Sequence, residues 1–288
     1  MRFAALLLAL LGTKALALGV VDDYGKSVTL QKPAARVVAL SPHLTELAYA
    51  AGGGARLVGA VDYSNYPEEA RKLPRVGSGF GIDLEAVIAL KPDLVLAWPN
   101  PASVQAIDRI ASLGIPVYRS EERELKDVPR TLERLGALFG TDRPAREAAA
   151  RFRARAQALA AEYRGRTRVR VFYEIWDAPL ATVNGEHLIS KVIALCGGEN
   201  VFAALPGLAP EIDREAVFRA DPDVVIASTE SGEPPAWLDA WKRLGLPAAA
   251  RGQLYAIRSS LIDEPTPRVL EGAERLCRIL DRVRAARS

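Results

Sequence analysis

Apolar residues along the chain come in two arrangements: short unbroken runs, and longer stretches in which they return at helical spacing. The first reads as buried strands and the second as amphipathic helices. Strands fall at 36–41, 57–61 and 116–118 in the first half, and at 168–175, 223–228 and 253–257 in the second. Helices are expected near 43–51, 103–113 and 127–139, then near 186–196, 213–220, 236–244 and 267–285. Between the halves, 142–164 is one long helical stretch rich in Ala and Arg, capped by Asp142, with Pro144 early in it and Gly165 at its end. At 1.5 Å per residue its roughly 23 residues make a rod of about 35 Å. One rod between two units is a stiff connection, so only modest closure of one unit on the other is expected.

The most informative pattern is an internal repeat. Residues 83–98 read DLEAVIALKPDLVLAW and residues 213–228 read DREAVFRADPDVVIAS; aligned without a gap they share eight of sixteen positions. Each copy opens on an Asp suited to cap a helix, runs two turns with one apolar face, breaks at Pro92 or Pro222, and continues as an apolar strand. A helix feeding a strand once in each half, 130 residues apart, predicts two related, Rossmann-like α/β lobes, each with its own parallel sheet. The chain then divides into 1–17, a first lobe at 18–140, an interdomain helix at 141–165 and a second lobe at 166–288.

Residues 1–17 carry an address. Arg2 is followed by an apolar run from Phe3 to Leu11, and Ala15-Leu16-Ala17 offers the small residues that a signal peptidase reads. Cleavage after Ala17 is expected. The run is too short to span a bilayer, and no cysteine follows it to carry a lipid, so the mature protein is expected free in a periplasm. In that oxidising compartment the isolated pair Cys196 and Cys277 favours a bridge over two free thiols.

Charge and composition narrow the chemistry. Lys plus Arg number 38 against 35 Asp plus Glu, and removal of Arg2 and Lys14 with the leader leaves 36 against 35. A nucleic-acid footprint has no support from that balance. Two cysteines and two histidines exclude a zinc ribbon, an iron–sulfur cluster or a histidine-rich metal site. Enzyme readings fare poorly as well. GSGFG at 77–81 lacks dinucleotide-fingerprint spacing, no GxSxG elbow occurs, and neither His43 nor His187 has an acid partner at motif spacing.

Several segments together resemble one family. They are VVALSPHLTELAYAAG at 37–52, YSNYP at 63–67, LEAVIALKPDLVLAW at 84–98, ASLGIPV at 111–117, LCGGENVF at 195–202, DREAV at 213–217 and TPR at 266–268 with Cys277 following. The chain resembles the periplasmic substrate-binding proteins of class III, whose lobes share one helix and which serve ABC importers of cobalamin, ferric siderophores and haem. It is most similar to the cobalamin-binding members. The resemblance implies a non-enzymatic monomer that carries cobalamin or a related corrinoid as transported ligand, without a cofactor of its own, to a permease dimer with its ATPase subunits. A ferric siderophore or haem is the alternative ligand.

Ligand-binding positions are implied at Tyr63, Phe80, Trp98, Trp176 and Leu261. Tyr63 and Trp98 match family pocket positions directly, Trp176 is displaced by one position from a family aromatic, and Phe80 neighbours a family Trp. Ala181, Ala209 and Ser260 stand where family members carry Phe, Trp and Asp. The residues themselves support the same site: a corrin ring is a broad, mostly apolar disc edged with amides, and flat aromatic walls recover contact area from it. Trp98 and Trp176 follow strands, and the carboxyl ends of parallel strands are where ligands sit. The alternative is that both rings belong to the core. Trp237 and Trp241, four apart, read as helix packing. Glu85 and Glu215 occupy matched positions of the repeat, and the resemblance implies that they dock the two lobes on the two permease subunits. Either acid alone is explained by the favourable field of a helix N-terminus.

Overall fold

A computed structural model describes residues 18–78 and 81–287. The proposed leader therefore lies outside the described residues. Strands β1 (Leu18–Val21) and β2 (Ser27–Leu30) form an antiparallel hairpin. The first lobe follows with β3 (Val37–Ala39), α1 (Pro42–Ala50), β4 (Leu57–Ala60), α2 (Leu84–Ala89), β5 (Leu94–Ala97), α3 (Val104–Ser112), β6 (Val117–Arg119) and α4 (Asp127–Phe139). Its sheet is parallel, in the order β4-β3-β5-β6. Helix α5 (Asp142–Tyr163) leads into the second lobe. That lobe comprises β7 (Val169–Glu174), the short hairpin β8 (Trp176–Asp177) and β9 (Leu180–Ala181), α6 (Leu188–Leu195), β10 (Gly198–Asn200), α7 (Arg214–Ala220) and β11 (Val224–Thr229). It ends with α8 (Ala240–Arg243), α9 (Pro247–Ala250), β12 (Leu254–Arg258), α10 (Ser259–Ile262) and α11 (Val269–Ala285). The second sheet is again parallel, β10-β7-β11-β12.

The repeat is structural down to its hydrogen bonds. Asp83 and Asp213 cap α2 and α7, accepting from the backbone N–H of Ala86 at 2.9 Å and of Ala216 at 2.6 Å. Both helices stop at matched left-handed residues, Lys91 (φ 48°) and Asp221 (φ 37°), immediately before a proline that cannot extend the helix. Asp93 then accepts from the N–H of Arg36 at 2.8 Å, and Asp223 from that of Arg170 at 2.6 Å. The guanidiniums of Arg36 and Arg170 in turn donate to the carbonyls of Leu90 and Ala220, which end the two helices. Two arginines outside the repeated segment thus occupy the same place in each lobe.

Strand alternation divides the core into three layers. Val37, Ala39, Leu94 and Leu96 of the first sheet, and Val169, Val171, Val224 and Ile226 of the second, point into one continuous cluster shared by both lobes. The intervening residues point the other way, Val38, Val95 and Ala97 into an outer layer of the first lobe and Phe172, Val225 and Ala227 into an outer layer of the second. Helix α5 runs through the shared layer, packing on α1 and α4 at one end and on α6 and α11 at the other. Its buried Phe152, Leu159 and Tyr163 belong to that cluster. Cys196, closing α6, is bridged to Cys277 of α11, and both are fully buried in it. Closing a loop of 81 residues restricts the unfolded chain by about 4 kcal/mol in the chain-entropy account.

Several features depart from the expected pattern. The β1–β2 hairpin and β10 are too short for periodicity to mark them. The helix expected at 236–244 is a 3₁₀ turn at Ala236–Asp239 followed by the single turn of α8, squeezed between Pro234-Pro235 and Gly245. Among the described residues, no helix is long and apolar enough to cross a membrane.

Gly136 of α4 shows how closely α5 is seated. A Cβ at this position would lie 2.3 Å from the Cβ of Ala145 on α5. Helix propensity alone makes Gly136→Ala stabilising by about 1 kcal/mol, whereas the collision with a rigid neighbour costs about 1–3 kcal/mol. The substitution is expected to lower the urea midpoint of unfolding; an increase would mean that the two helices can move apart.

Candidate functional site

In each lobe the strands are parallel, so their carboxyl ends lie along one edge of the sheet, and the loops leaving those ends build the site. β3 delivers Pro42 and His43, β5 delivers Trp98, and β6 delivers Glu122. From the second lobe come Leu188 at the start of α6, Leu208, and Pro265 after α10. Together they line a largely apolar cavity of about 300 Å³ between the lobes. The Trp98 side chain stands 41% exposed in it, with the His43 imidazole edge-on, 6.1 Å between ring centroids.

A second, more polar cavity of about 550 Å³ shares Pro42 and Glu264 with the first. Tyr63, Tyr66 and Arg71 face Arg258, Ser260 and Arg268 across it. Tyr63 holds φ at 64° and is 75% exposed. A tyrosine in the left-handed region costs on the order of 1–2 kcal/mol, so the loop keeps a large ring in solvent at a backbone cost.

In the wall of the second cavity the lobes are joined by an ion pair. Arg268, at the start of α11, donates from Nε and Nη2 to Oε2 of Glu46 on α1, at 2.9 and 2.5 Å, and the Glu46 side chain is only 4% exposed. The same guanidinium lies 3.9 Å from the centroid of Tyr66. Loss of Arg268 would leave a buried carboxylate uncompensated.

The wall under Trp98 holds a second polar group pair, inside one lobe. His43 Nδ1 is 2.6 Å from Ser41 Oγ, and its Nε2 faces Glu122 Oε2 at 3.6 Å, too far for a hydrogen bond. Glu122 Oε1 accepts from the hydroxyls of Ser120 and Thr131. Burial removes water from both groups and favours their neutral forms, taking His43 down to about 3 and Glu122 up to about 7. Burial also raises Asp263 to about 6 and Glu264 to about 7, while it lowers His187 to about 4. His187 caps α6, its Nδ1 accepting from the N–H of Ile189 at 3.2 Å. Near neutral pH burial therefore keeps His43 and His187 uncharged and leaves Glu122 and Glu264 near half-protonated, whereas Asp263 is largely ionised.

The structure brings Tyr63 and Trp98 to the interlobe cavities. Trp176 follows β7 at the same sheet edge and is 61% exposed, its Nε1 donating to the carbonyl of Ala178 at 2.9 Å. It lines neither cavity. Leu261 is 5% exposed and packs inward from α10, while its neighbour Ser260 reaches the second cavity instead. A four-residue helix that presents Ser260 to the cleft turns Leu261 to the core. Phe80 lies outside the described residues. Trp241 is core, donating from Nε1 to Glu174 at 2.7 Å. Glu85 and Glu215 are exposed in the first turns of α2 and α7.

Sequence reasoning missed Glu46, Arg268 and Glu122. Glu46 had a signal, the lone charge inside the apolar helix PHLTELAYA, but Glu122 sits in a run of charges that reads as solvated surface. Among the described residues, no group of three or more His, Cys, Asp or Glu is placed to hold a metal ion.

The neutral pair makes a pH prediction with a definite sign. Glu122 binds its proton up to about 7 when folded and up to 4.5 when unfolded, so its contribution to stability falls as pH rises across that window. His43 acts oppositely between about 3 and 6.5. Glu122→Gln removes only the falling limb. The melting temperature of the variant is expected to gain on the wild type as pH rises from 4.5 to about 7; a pH-independent difference would contradict a neutral Glu122.

The description "periplasmic binding protein" belongs to the family that matches residues 37–261. The vitamin B12-binding protein of Vibrio parahaemolyticus is 36% identical over 256 residues, spanning 89% of this chain and 93% of that relative. The crystal structure of the periplasmic vitamin B12 binding protein BtuF of Vibrio cholerae superposes with a TM-score of 0.81 at 33% identity, covering 88% of this chain and 98% of that one. A periplasmic heme-binding protein from Roseiflexus, with a TM-score of 0.77 at 20% identity over 86% of this chain and 98% of its own, shares the fold. Two parallel-sheet lobes on one long helix, with a cleft at their strand ends, agree with these matches, and the chain belongs to the periplasmic binding protein family.

Proposed function

We propose that the protein captures cobalamin or a closely related corrinoid between its lobes and delivers it to an inner-membrane ABC importer. The observation that carries this reading is the pair of exposed aromatic side chains held at the interlobe cleft, Trp98 in its largely apolar cavity and Tyr63 in the adjoining, more polar one. A corrin disc presents flat apolar area to such rings, and its peripheral amides find partners in the more polar second cavity. The relatives named as vitamin B12-binding proteins support the same ligand. Trp176, at the same sheet edge, completes the wall when ligand enters. In this reading 1–17 is a cleaved leader, the mature monomer works in the periplasm, and the lobes at 18–140 and 166–288 move modestly about the helix at 141–165. Glu85 and Glu215 register the two lobes on a two-fold permease dimer through basic partners.

One observation favours a second reading, a ferric siderophore. Arg71, Arg258 and Arg268 all border the second cavity, as an anionic ligand would want. Arg268 is committed to Glu46 and Arg71 to Glu68, and Glu230 and Glu264 share the wall, so little net positive charge remains. The corrinoid reading stands ahead for that reason.

Titration calorimetry of the apo-protein against cobalamin, cobinamide, haem and a ferric hydroxamate separates the two. Cobalamin is expected to bind one to one, at least about tenfold tighter than haem or the hydroxamate. Heat from the hydroxamate or haem alone would overturn the assignment. Tyr63 supplies an independent check. Tyr63→Gly relieves the left-handed backbone, so the melting temperature is expected to hold or rise while cobalamin binding weakens by about tenfold; unchanged affinity would remove Tyr63 from the site.

A further inference from the structure

Helices α2 and α7 repeat more than a carboxylate. Three residues after Glu85 stands Ile88, 44% exposed, and three after Glu215 stands Phe218, 37% exposed. Residues three apart on a helix are neighbours on one face, so each lobe presents an acid with a large apolar side chain beside it. Val87 and Val217, both fully buried, fix each helix on the outer layer of its own lobe and thereby fix which face is turned outward. A single exposed apolar residue needs no explanation. Two at the same register of an internal repeat, on helices whose burial matches from Glu85/Glu215 onward, are a patterned feature.

Topology places both on the rim of the cleft. Each helix precedes a parallel strand, α2 before β5 and α7 before β11, and so runs back against it. Its first turns therefore lie at the sheet edge where the strands end, the edge that carries Trp98. A partner seated over the cleft mouth meets both helices at once. The two apolar side chains are also pre-ordered. Ile88 is β-branched and stiff at χ1, and the Phe218 ring rests against buried Trp241 with centroids 6.4 Å apart. Such groups lose little rotamer freedom on contact.

We infer that Ile88 and Phe218 are paired apolar anchors for a two-fold-symmetric membrane partner, which offers each lobe an apolar hollow beside the basic group that meets the glutamate. This rests on the docking role proposed for Glu85 and Glu215 and divides the labour between the two residue types. Exposed charges govern encounter and its salt dependence, whereas desolvated apolar contacts govern how long the complex lasts. The anchors set the lifetime of the complex.

The test uses the cobalamin importer of the same organism, permease dimer with ATPase subunits, in nanodiscs, and the full mature protein. Association and dissociation rates are measured for Ile88→Ser with Phe218→Ser, and for Glu85→Gln with Glu215→Gln. The serine variant is expected to dissociate at least about tenfold faster with its association rate nearly unchanged, and to keep its melting temperature and cobalamin affinity. The glutamine variant is expected to associate more slowly and with a flatter salt dependence. Wild-type dissociation in the serine variant, with slowed association in the glutamine variant, overturns the anchors and leaves the docking role intact. Two silent variants overturn both. Sedimentation showing that the wild type is a dimer which the serine variant dissolves would assign the patch to a second copy of the chain instead.

Discussion

The shared core along α5 is the constraint on which everything else depends. Alternate residues of both sheets enter one apolar cluster, with Phe152, Leu159 and Tyr163 of the helix inside it, so the lobes cannot separate without exposing that cluster to water. Burial of this kind contributes about 25 cal/mol per Å², and a hinge that opened the cluster would have no compensating contact. The shared cluster therefore limits movement of the lobes on either side of the cleft, whose walls are supplied by loops at the strand ends. The Cys196–Cys277 bridge and the contact of Gly136 with Ala145 tighten the same layer from opposite lobes.

Chemistry at the cleft follows from that rigidity. The Glu46–Arg268 pair joins the lobes in the wall of the second cavity and is too buried to exchange with water cheaply. His43 and Glu122 are pushed toward neutrality in the wall below Trp98, so the surface offered to a guest there is mostly apolar. The proposed ligand contacts are residues that fold stability does not favour: Tyr63 is exposed on a left-handed backbone, and Trp98 and Trp176 keep large rings in solvent.

Much of the fold was legible because it is written in local, repeated chemistry. The Asp cap, the apolar face, the proline stop and the strand recur in both halves, and the structure finds them at matched places. Arg36 and Arg170 escaped notice, since their partners are carbonyls fifty or more positions away that no periodicity marks. The candidate cleft was legible where aromatic residues follow strands, as at Trp98, which lines the first cavity. It was opaque where pairing across the lobes decides, because Glu46 and Arg268 are 222 residues apart. Leu261 shows the converse limit: a position inferred by likeness to the family faces the core, since one residue of register on a short helix separates the cleft from the interior.

In the proposed mode of binding, a broad flat guest sits between two lobes that move only modestly. A crystal structure of the protein grown with cobalamin tests it most directly. The corrin ring is expected in the cleft between the lobes, in contact with Trp98 and Tyr63, with α5 straight and the Glu46–Arg268 pair intact. A corrinoid bound elsewhere on the molecule, or lobes rotated far enough to break that pair, would contradict it.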